Sequence, residues 1–233
     1  MPHSVQACVF DAYGTLFDVH SAVRGHAHRL GESAGEVSRI WRDKQLEYSW
    51  VRSLARRHAD FWQVTGEALD YALAIKGVYS ESLHENLMSA YRELAAYPEV
   101  APVLETLRAA GLRTAILSNG SPGMLADAVA NCGLEHLLDA VVSVEDAGVY
   151  KPDGRVYQLA CTALDLKRDC ISFQSANAWD AAGAVQFGFR VAWINRLGVP
   201  SEYAFAPPHD VLADLSGLPA LLGLEQEAAP QRD

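Results

Sequence analysis

A short apolar run, Ala7-Cys8-Val9-Phe10, stops on a carboxylate, Asp11, and is followed by Ala12-Tyr13-Gly14-Thr15. Its length and lack of polar alternation predict a buried parallel strand that delivers Asp11 to the carboxyl edge of an α/β sheet, where ligand crevices lie. A carboxylate in that place can be a nucleophile, a metal ligand or a base, and it can equally cap the next helix. Gly14 permits a tight backbone approach.

Beyond Asp18 the pattern turns helical and stays so to about Leu94. From Gly35 to Arg57, Val37, Ile40, Trp41, Tyr48, Val51 and Leu54 recur mostly three or four residues apart. Thr65 is read as the N-cap and Gly77 as the stop of the next helix, and Ser82 with Glu85 as a capping box for the one after. A helical block of this size reads as a small bundle, residues 18–97, inserted into an α/β domain made of residues 1–17 and 98–233.

Strand and helix then alternate. Helices are expected over Glu99–Ala110, from Ser121-Pro122 to Gly133, over Arg155–Leu164 and up to Gly188, with strands at Arg113–Leu117, Ala140–Val144, Cys170–Gln174 and Arg190–Ile194. A short strand at Val211-Leu212, a helix near Leu218 to Leu222 and a frayed polar tail complete the reading. Such alternation implies right-handed crossovers and a Rossmann-like parallel sheet with helices on both faces.

Charge and cysteine usage narrow the function. A formal net charge of −10 argues against nucleic acid or an anionic membrane as partner, and an anionic substrate would need a local cationic pocket. The four cysteines have no metal-ligand spacing; Cys8 and Cys170 lie in strand-like runs and read as buried free thiols, which fits a reducing cytoplasm. No secretory leader or membrane span is expected.

Four strand ends carry polar residues in turn: Asp11, Ser118-Asn119, Lys151 just beyond its strand, and Ser175-Asn177-Asp180. Each alone has an ordinary explanation, as a helix cap, a surface lysine or a first-turn acid. In one parallel sheet all four point into one crevice, and that coincidence marks a site.

The series Asp-x-Tyr-Gly-Thr, Leu-Ser-Asn-Gly, Tyr-Lys-Pro-Asp and Ser-x-Asn-x-x-Asp resembles the haloacid dehalogenase superfamily. With Trp41-Arg42-x-Lys44-Gln45-Leu46-Glu47-Tyr48 and Trp193-Ile194-Asn195-Arg196, it is more narrowly similar to the L-2-haloacid dehalogenases. Phosphatases of the superfamily carry a second Asp two residues after the nucleophile and an acidic pair at the fourth motif for Mg²⁺. Here those places hold Tyr13, which is no carboxylic acid near pH 7, and neutral Ser175 and Asn177, a set too weakly charged for Mg²⁺. The site is therefore read as using neither metal nor cofactor.

The resemblance implies displacement of halide from a short-chain 2-haloalkanoate by Asp11, then hydrolysis of the aspartyl ester. It assigns Lys151 to balance and orient Asp11, and Arg42, Asn119 and Trp179 to the leaving halide. Ser118 and the backbone near Tyr13 are assigned to the substrate carboxylate. Thr15, Ser175, Asn177 and Asp180 are to orient Asp11 and the hydrolytic water, with Asp180 polarising it, and Tyr157 is to act through Lys151. Leu46 and Phe61 are to close over the alkyl end, and a homodimer is implied.

Three positions depart from the pattern: Asp43, where glutamine usually follows the arginine, Gln174, where valine precedes the serine, and Ala176, where a second serine follows it. Asp43 is expected to restrain Arg42 and oppose an anionic substrate, since like charges about 8 Å apart repel by about 2 kcal/mol at an effective dielectric near 20. The competing readings are a superfamily phosphatase acting on a small phosphate ester and a non-catalytic binding protein of the same fold.

Overall fold

The computed structural model describes residues 4–224. Strand β1 (Ala7–Phe10) is buried along its whole length and lies at the centre of a six-stranded parallel sheet of order β3-β2-β1-β4-β5-β6. Its neighbours are β2 (Arg113–Ser118) and β4 (Ile171–Ser175), with Phe10 opposite Ile116 on one side and Gln174 on the other. Strands β3 (Ala140–Ser143), β5 (Arg190–Ile194) and β6 (Asp210–Leu212) complete it. The order reverses direction between β1 and β4, so their carboxyl ends flank the crevice where ligands bind in such sheets.

Between β1 and the rest of the sheet lie α1 (Ser21–Gly25), α2 (Ala27–Leu30), α3 (Ala34–Ala55), α4 (Phe61–Ile75) and α5 (Glu81–Arg92). The chain leaves and re-enters the sheet at one place: Asp18 N–H donates to Ala95 O (2.9 Å) and Tyr97 N–H to Leu16 O (2.9 Å). Helices α6 (Val100–Ala109), α7 (Pro122–Asn131), α8 (Gly154–Leu164), α9 (Ala178–Phe187) and α10 (Leu218–Leu221) follow. In α6, buried Val100, Val103, Leu104 and Leu107 form one apolar stripe, each side chain contributing about 1.5–3 kcal/mol if fully buried. No helix among the described residues is long and apolar enough to cross a membrane.

Two expected caps are corrected. Asp60, not Thr65, caps α4, its carboxylate accepting from Trp62 N–H and Gln63 N–H, so the helix starts five residues earlier. Thr65 is instead buried in the second turn, where its Oγ1 accepts from Gln45. Ser80, not Ser82, caps α5 by accepting from Leu83 N–H, and Ser82 meets Arg29. Gly77 ends its segment in the left-handed region, at φ +66°, as expected. The frayed tail falls partly outside the described residues.

Candidate active site

The ladder continues one step past β1, Asp11 N–H donating to Gln174 O (2.9 Å), and so fixes where the carboxylate stands. Gly14, at φ +90°, then turns the chain so that Thr15 comes back beneath Asp11. The two carboxylate oxygens are treated unequally. Oδ2 accepts from Thr15 Oγ1 (3.0 Å), Asn177 Nδ2 (2.8 Å) and, at 3.5 Å, Ser175 Oγ. Oδ1 accepts from Lys151 Nζ alone (3.2 Å) and is the oxygen with lone pairs to spare. Thr15 is itself held by Ala176 N–H (2.8 Å), and Asn177 N–H donates to Ser175 Oγ (3.1 Å).

Lys151 is wholly buried between two carboxylates, 3.2 Å from Asp11 and 2.9 Å from Asp180. Its N–H donates to Asn119 Oδ1 (3.0 Å), which ties the loop before α8 to the end of β2. Asp180 occupies the first turn of α9; its Oδ2 accepts from Lys151 and its Oδ1 from Tyr157 Oη (2.8 Å). Burial pushes the Asp180 carboxyl above its ordinary range, against the pull of Lys151 and the Tyr157 hydrogen bond. Burial and the adjacent Asp180 also raise Tyr157, which stays a donor at working pH. The Tyr157 hydroxyl thus reaches Asp180, and Lys151 lies one hydrogen bond further on, across that carboxylate.

From the helical block comes Arg42. The stripe Val37, Trp41, Gln45, Ser49 buries α3 against its neighbours, Trp41 Nε1 donating to Thr65 O (2.9 Å). One residue on, about 100° around the helix, Arg42 and Leu46 face the sheet edge. Arg42 Nη2 donates to Asn177 Oδ1 (3.3 Å) and Tyr13 O (3.4 Å). With Asp11, Tyr13, Phe61, Ser118, Asn119 and Trp179, these two side chains line a cavity in which the centre of a water-sized sphere has about 10 Å³ to move. Tyr13 Oη and Trp179 Nε1 are both shielded from solvent without a hydrogen-bond partner. Burial raises the Tyr13 hydroxyl well above its usual range, which removes it as an acid or base.

The structure brings every expected site residue to this one place, in the hydrogen-bonded cluster, the cavity wall or both. Asp43 is not among them, and the expectation of a charge bending toward Arg42 is overturned. Its side chain is 58% exposed and pairs with Arg39 (3.0 Å), one turn back on the outer face of α3. Gln174 is buried on the opposite face of β4 from Ser175 and donates to Ser172, away from the cavity. Ala176 acts through its backbone, which holds Thr15 and accepts from Trp193 Nε1 (3.2 Å).

Sequence reasoning missed three supports. Arg196 donates to Thr15 O (2.9 Å) and pairs with Glu99 (2.6 Å). Gly120 and Gly183 are tight approaches: a Cβ at Gly120 would stand 2.7 Å from the Tyr13 ring, and one at Gly183 would stand 2.5 Å from Tyr157 Oη. Gly120 closes the Leu-Ser-Asn-Gly motif, but nothing local in the sequence shows the crowding at either glycine, which comes from Tyr13 and Tyr157, distant in sequence.

The sequence signature of the haloacid dehalogenase-like hydrolases matches residues 5–188. The chain is 52% identical over 219 residues to (S)-2-haloacid dehalogenase 1 of Pseudomonas sp. (strain CBS-3), covering 94% of this chain and 96% of that protein. It is 50% identical over 223 residues to (S)-2-haloacid dehalogenase 4A of Burkholderia cepacia, covering 95% and 96%. Among solved structures, L-2-haloacid dehalogenase from Xanthobacter autotrophicus with chloropropionic acid covalently bound superposes with a TM-score of 0.88 at 38% identity, covering 97% of this chain and all of the other. Through the sequence signature and these long, high-identity matches, the chain belongs to the L-2-haloacid dehalogenase family of the haloacid dehalogenase superfamily.

Proposed function

We propose that this protein hydrolyses short-chain (S)-2-haloalkanoates to (R)-2-hydroxy acids and halide. The observation that carries the reading is the asymmetry of Asp11, a residue of the cavity wall: Oδ2 is fixed by its donors, while Oδ1 has Lys151 alone. Asp11 Oδ1 attacks C2 opposite the halogen. The C2–O bond forms as the carbon–halogen bond breaks, halide leaves with the electron pair toward Arg42, Asn119 and Trp179, and C2 inverts. Ser118 and the main chain at Tyr13 hold the substrate carboxylate; Leu46 and Phe61 cover its alkyl end.

Water then adds to Cγ of Asp11 and passes one proton to Asp180, whose raised proton affinity suits it to accept one. Collapse breaks the Cγ–Oδ1 bond, so Oδ1 departs on C2 and takes that proton to become the product hydroxyl. Asp11 keeps the water oxygen, and the second water proton leaves to solvent. Dividing one difficult displacement into two steps is the gain of the covalent route. Chloropropionic acid bound covalently in the Xanthobacter autotrophicus relative supports the ester.

No metal takes part. The ammonium of Lys151 already stands between Asp11 and Asp180, and the remaining oxygens of Thr15, Ser175 and Asn177 are neutral, a poor set for Mg²⁺. The same donor set disfavours the phosphatase reading. Residues 18–97 form a cap domain over a core of residues 1–17 and 98–233, a division supported by the paired crossings at Leu16–Asp18 and Ala95–Tyr97. By resemblance the protein works as a homodimer, and the four free thiols fit a cytoplasmic location.

The test is a single turnover of (S)-2-chloropropionate in ¹⁸O-labelled water, with EDTA present. The expected result is label in the Asp11 side chain and none in the first product molecule. Label appearing directly in product would mean that water attacks the substrate, and chloride release that needs added Mg²⁺ would overturn the metal-free route.

A further inference from the structure

Behind the catalytic cavity lies a second space. Against about 10 Å³ for the cavity, a cleft bounded by Trp50, Leu54, Tyr150, Pro152 and Tyr203 has about 500 Å³. One indole, that of Trp179, lines both. Trp179 therefore stands between the two spaces, beside the contact of Phe61 on the cavity side with Tyr150 on the cleft side, ring centroids 5.8 Å apart.

Trp50 lines the cleft and packs edge-on against Trp179, ring centroids 5.4 Å apart at 81°. Its place follows from the helix. Arg42, Leu46, Trp50 and Leu54 are spaced four apart on α3, and each step turns the face by about 40°. The first two therefore point into the catalytic cavity and the next two into the cleft.

Resting on the function proposed above, we propose that Trp50 is a positioning residue that sets the chain-length limit of the substrate. It holds Trp179 upright as the partition, and the cleft is the space a longer alkyl chain would enter if that partition gave way. A 2-haloalkanoate whose chain ends at C3 stays on the catalytic side; one with several further methylenes meets Trp179. Trp50 is not among the residues lining the catalytic cavity, so loosening it reaches the reaction at Asp11 only through Trp179.

The experiment compares chloride release from (S)-2-chloropropionate and (S)-2-chlorohexanoate by the wild type, Trp50→Ala and Trp50→Phe. A methylene newly buried in the cleft improves binding by about fourfold. Three of them predict that Trp50→Ala raises the hexanoate-to-propionate ratio of kcat/KM at least tenfold, mainly through the hexanoate KM, with the propionate kcat within a few-fold of wild type. Trp50→Phe keeps a smaller ring against Trp179 and shifts the ratio less, in the same direction; it serves as the test if Trp50→Ala does not fold. An unchanged ratio in an active variant, or an equal loss on both substrates, overturns the role of Trp50 and leaves the proposed reaction standing. Absence of chloride release by the wild type from (S)-2-chloropropionate overturns both.

Discussion

The two halves of the site are built to different standards. The half carried by the sheet edge is closed on itself: Asp11, Thr15, Lys151, Tyr157, Ser175, Asn177 and Asp180 satisfy one another at 2.8–3.5 Å, and five of the seven are at 0% exposure. The half carried by the helical block touches it through Arg42, whose two hydrogen bonds are long, 3.3 and 3.4 Å, and through apolar contact from Leu46 and Phe61. Nucleophilic attack and hydrolysis need groups held before the substrate arrives, and the rigid sheet edge supplies them. Enclosing a substrate in a cavity this small needs a wall that can move. The difference places chemistry on the core and accommodation on the helices.

The largest effect should come from breaking the core half at its centre. Lys151→Met leaves two buried carboxylates without a counter-ion, so we expect a loss of about 3–5 kcal/mol in urea unfolding together with loss of turnover. A stability loss under about 1 kcal/mol would show that the acids are not held by this charge.

A subtler change in the same half is Tyr157→Phe. Tyr157 favours ionised Asp180, so its removal raises the acid further, and Asp180 then ionises only at higher pH. Because the ionised form is the one that accepts the proton from water, the acid limb of kcat against pH should move upward, with activity largely regained above it. Gly183→Ala, which forces Tyr157 Oη away, should move the limb in the same direction. A limb that stays in place in both variants would remove Asp180 from the rate-limiting proton transfer.

The smallest effect is expected on the outer face of the helical half. Asp43→Gln should change KM for 2-chloropropionate less than about twofold at any ionic strength, since an exposed ion pair of this kind is worth about 0.3–0.5 kcal/mol to the helix. A several-fold fall in KM at low salt would mean that the carboxylate does swing toward Arg42.

The same division decided what could be read from the chain. The core half is written locally: an apolar run ends on Asp11, another on Ser118, an alternating strand on Ser175, and a parallel sheet does the rest. Asp43 was misjudged because helical position, 100° from its neighbour, outweighs adjacency in sequence. Thr65 reads as a cap because hydroxyl residues suit both caps and buried hydrogen bonds, and the tertiary partner Gln45 decides between them. The route from Tyr157 to the site and the part played by Trp50 depend on distances between elements far apart in the chain, and no local pattern records those.

The narrowness of the catalytic cavity also bears on how the enzyme survives its own intermediate. An aspartyl ester is open to any small nucleophile, and the outcomes are not equivalent. Attack by water restores the carboxylate; attack by a larger alcohol or a thiol at the same carbon would leave Asp11 as an ester or a thioester, an enzyme that cannot attack again. With the substrate skeleton still bonded to Asp11, a compartment this small leaves room for a water and excludes bulkier nucleophiles. The tight packing of Tyr13, Phe61 and Trp179 around Asp11 therefore guards against self-inactivation, a cost that a roomier site would accumulate over many turnovers.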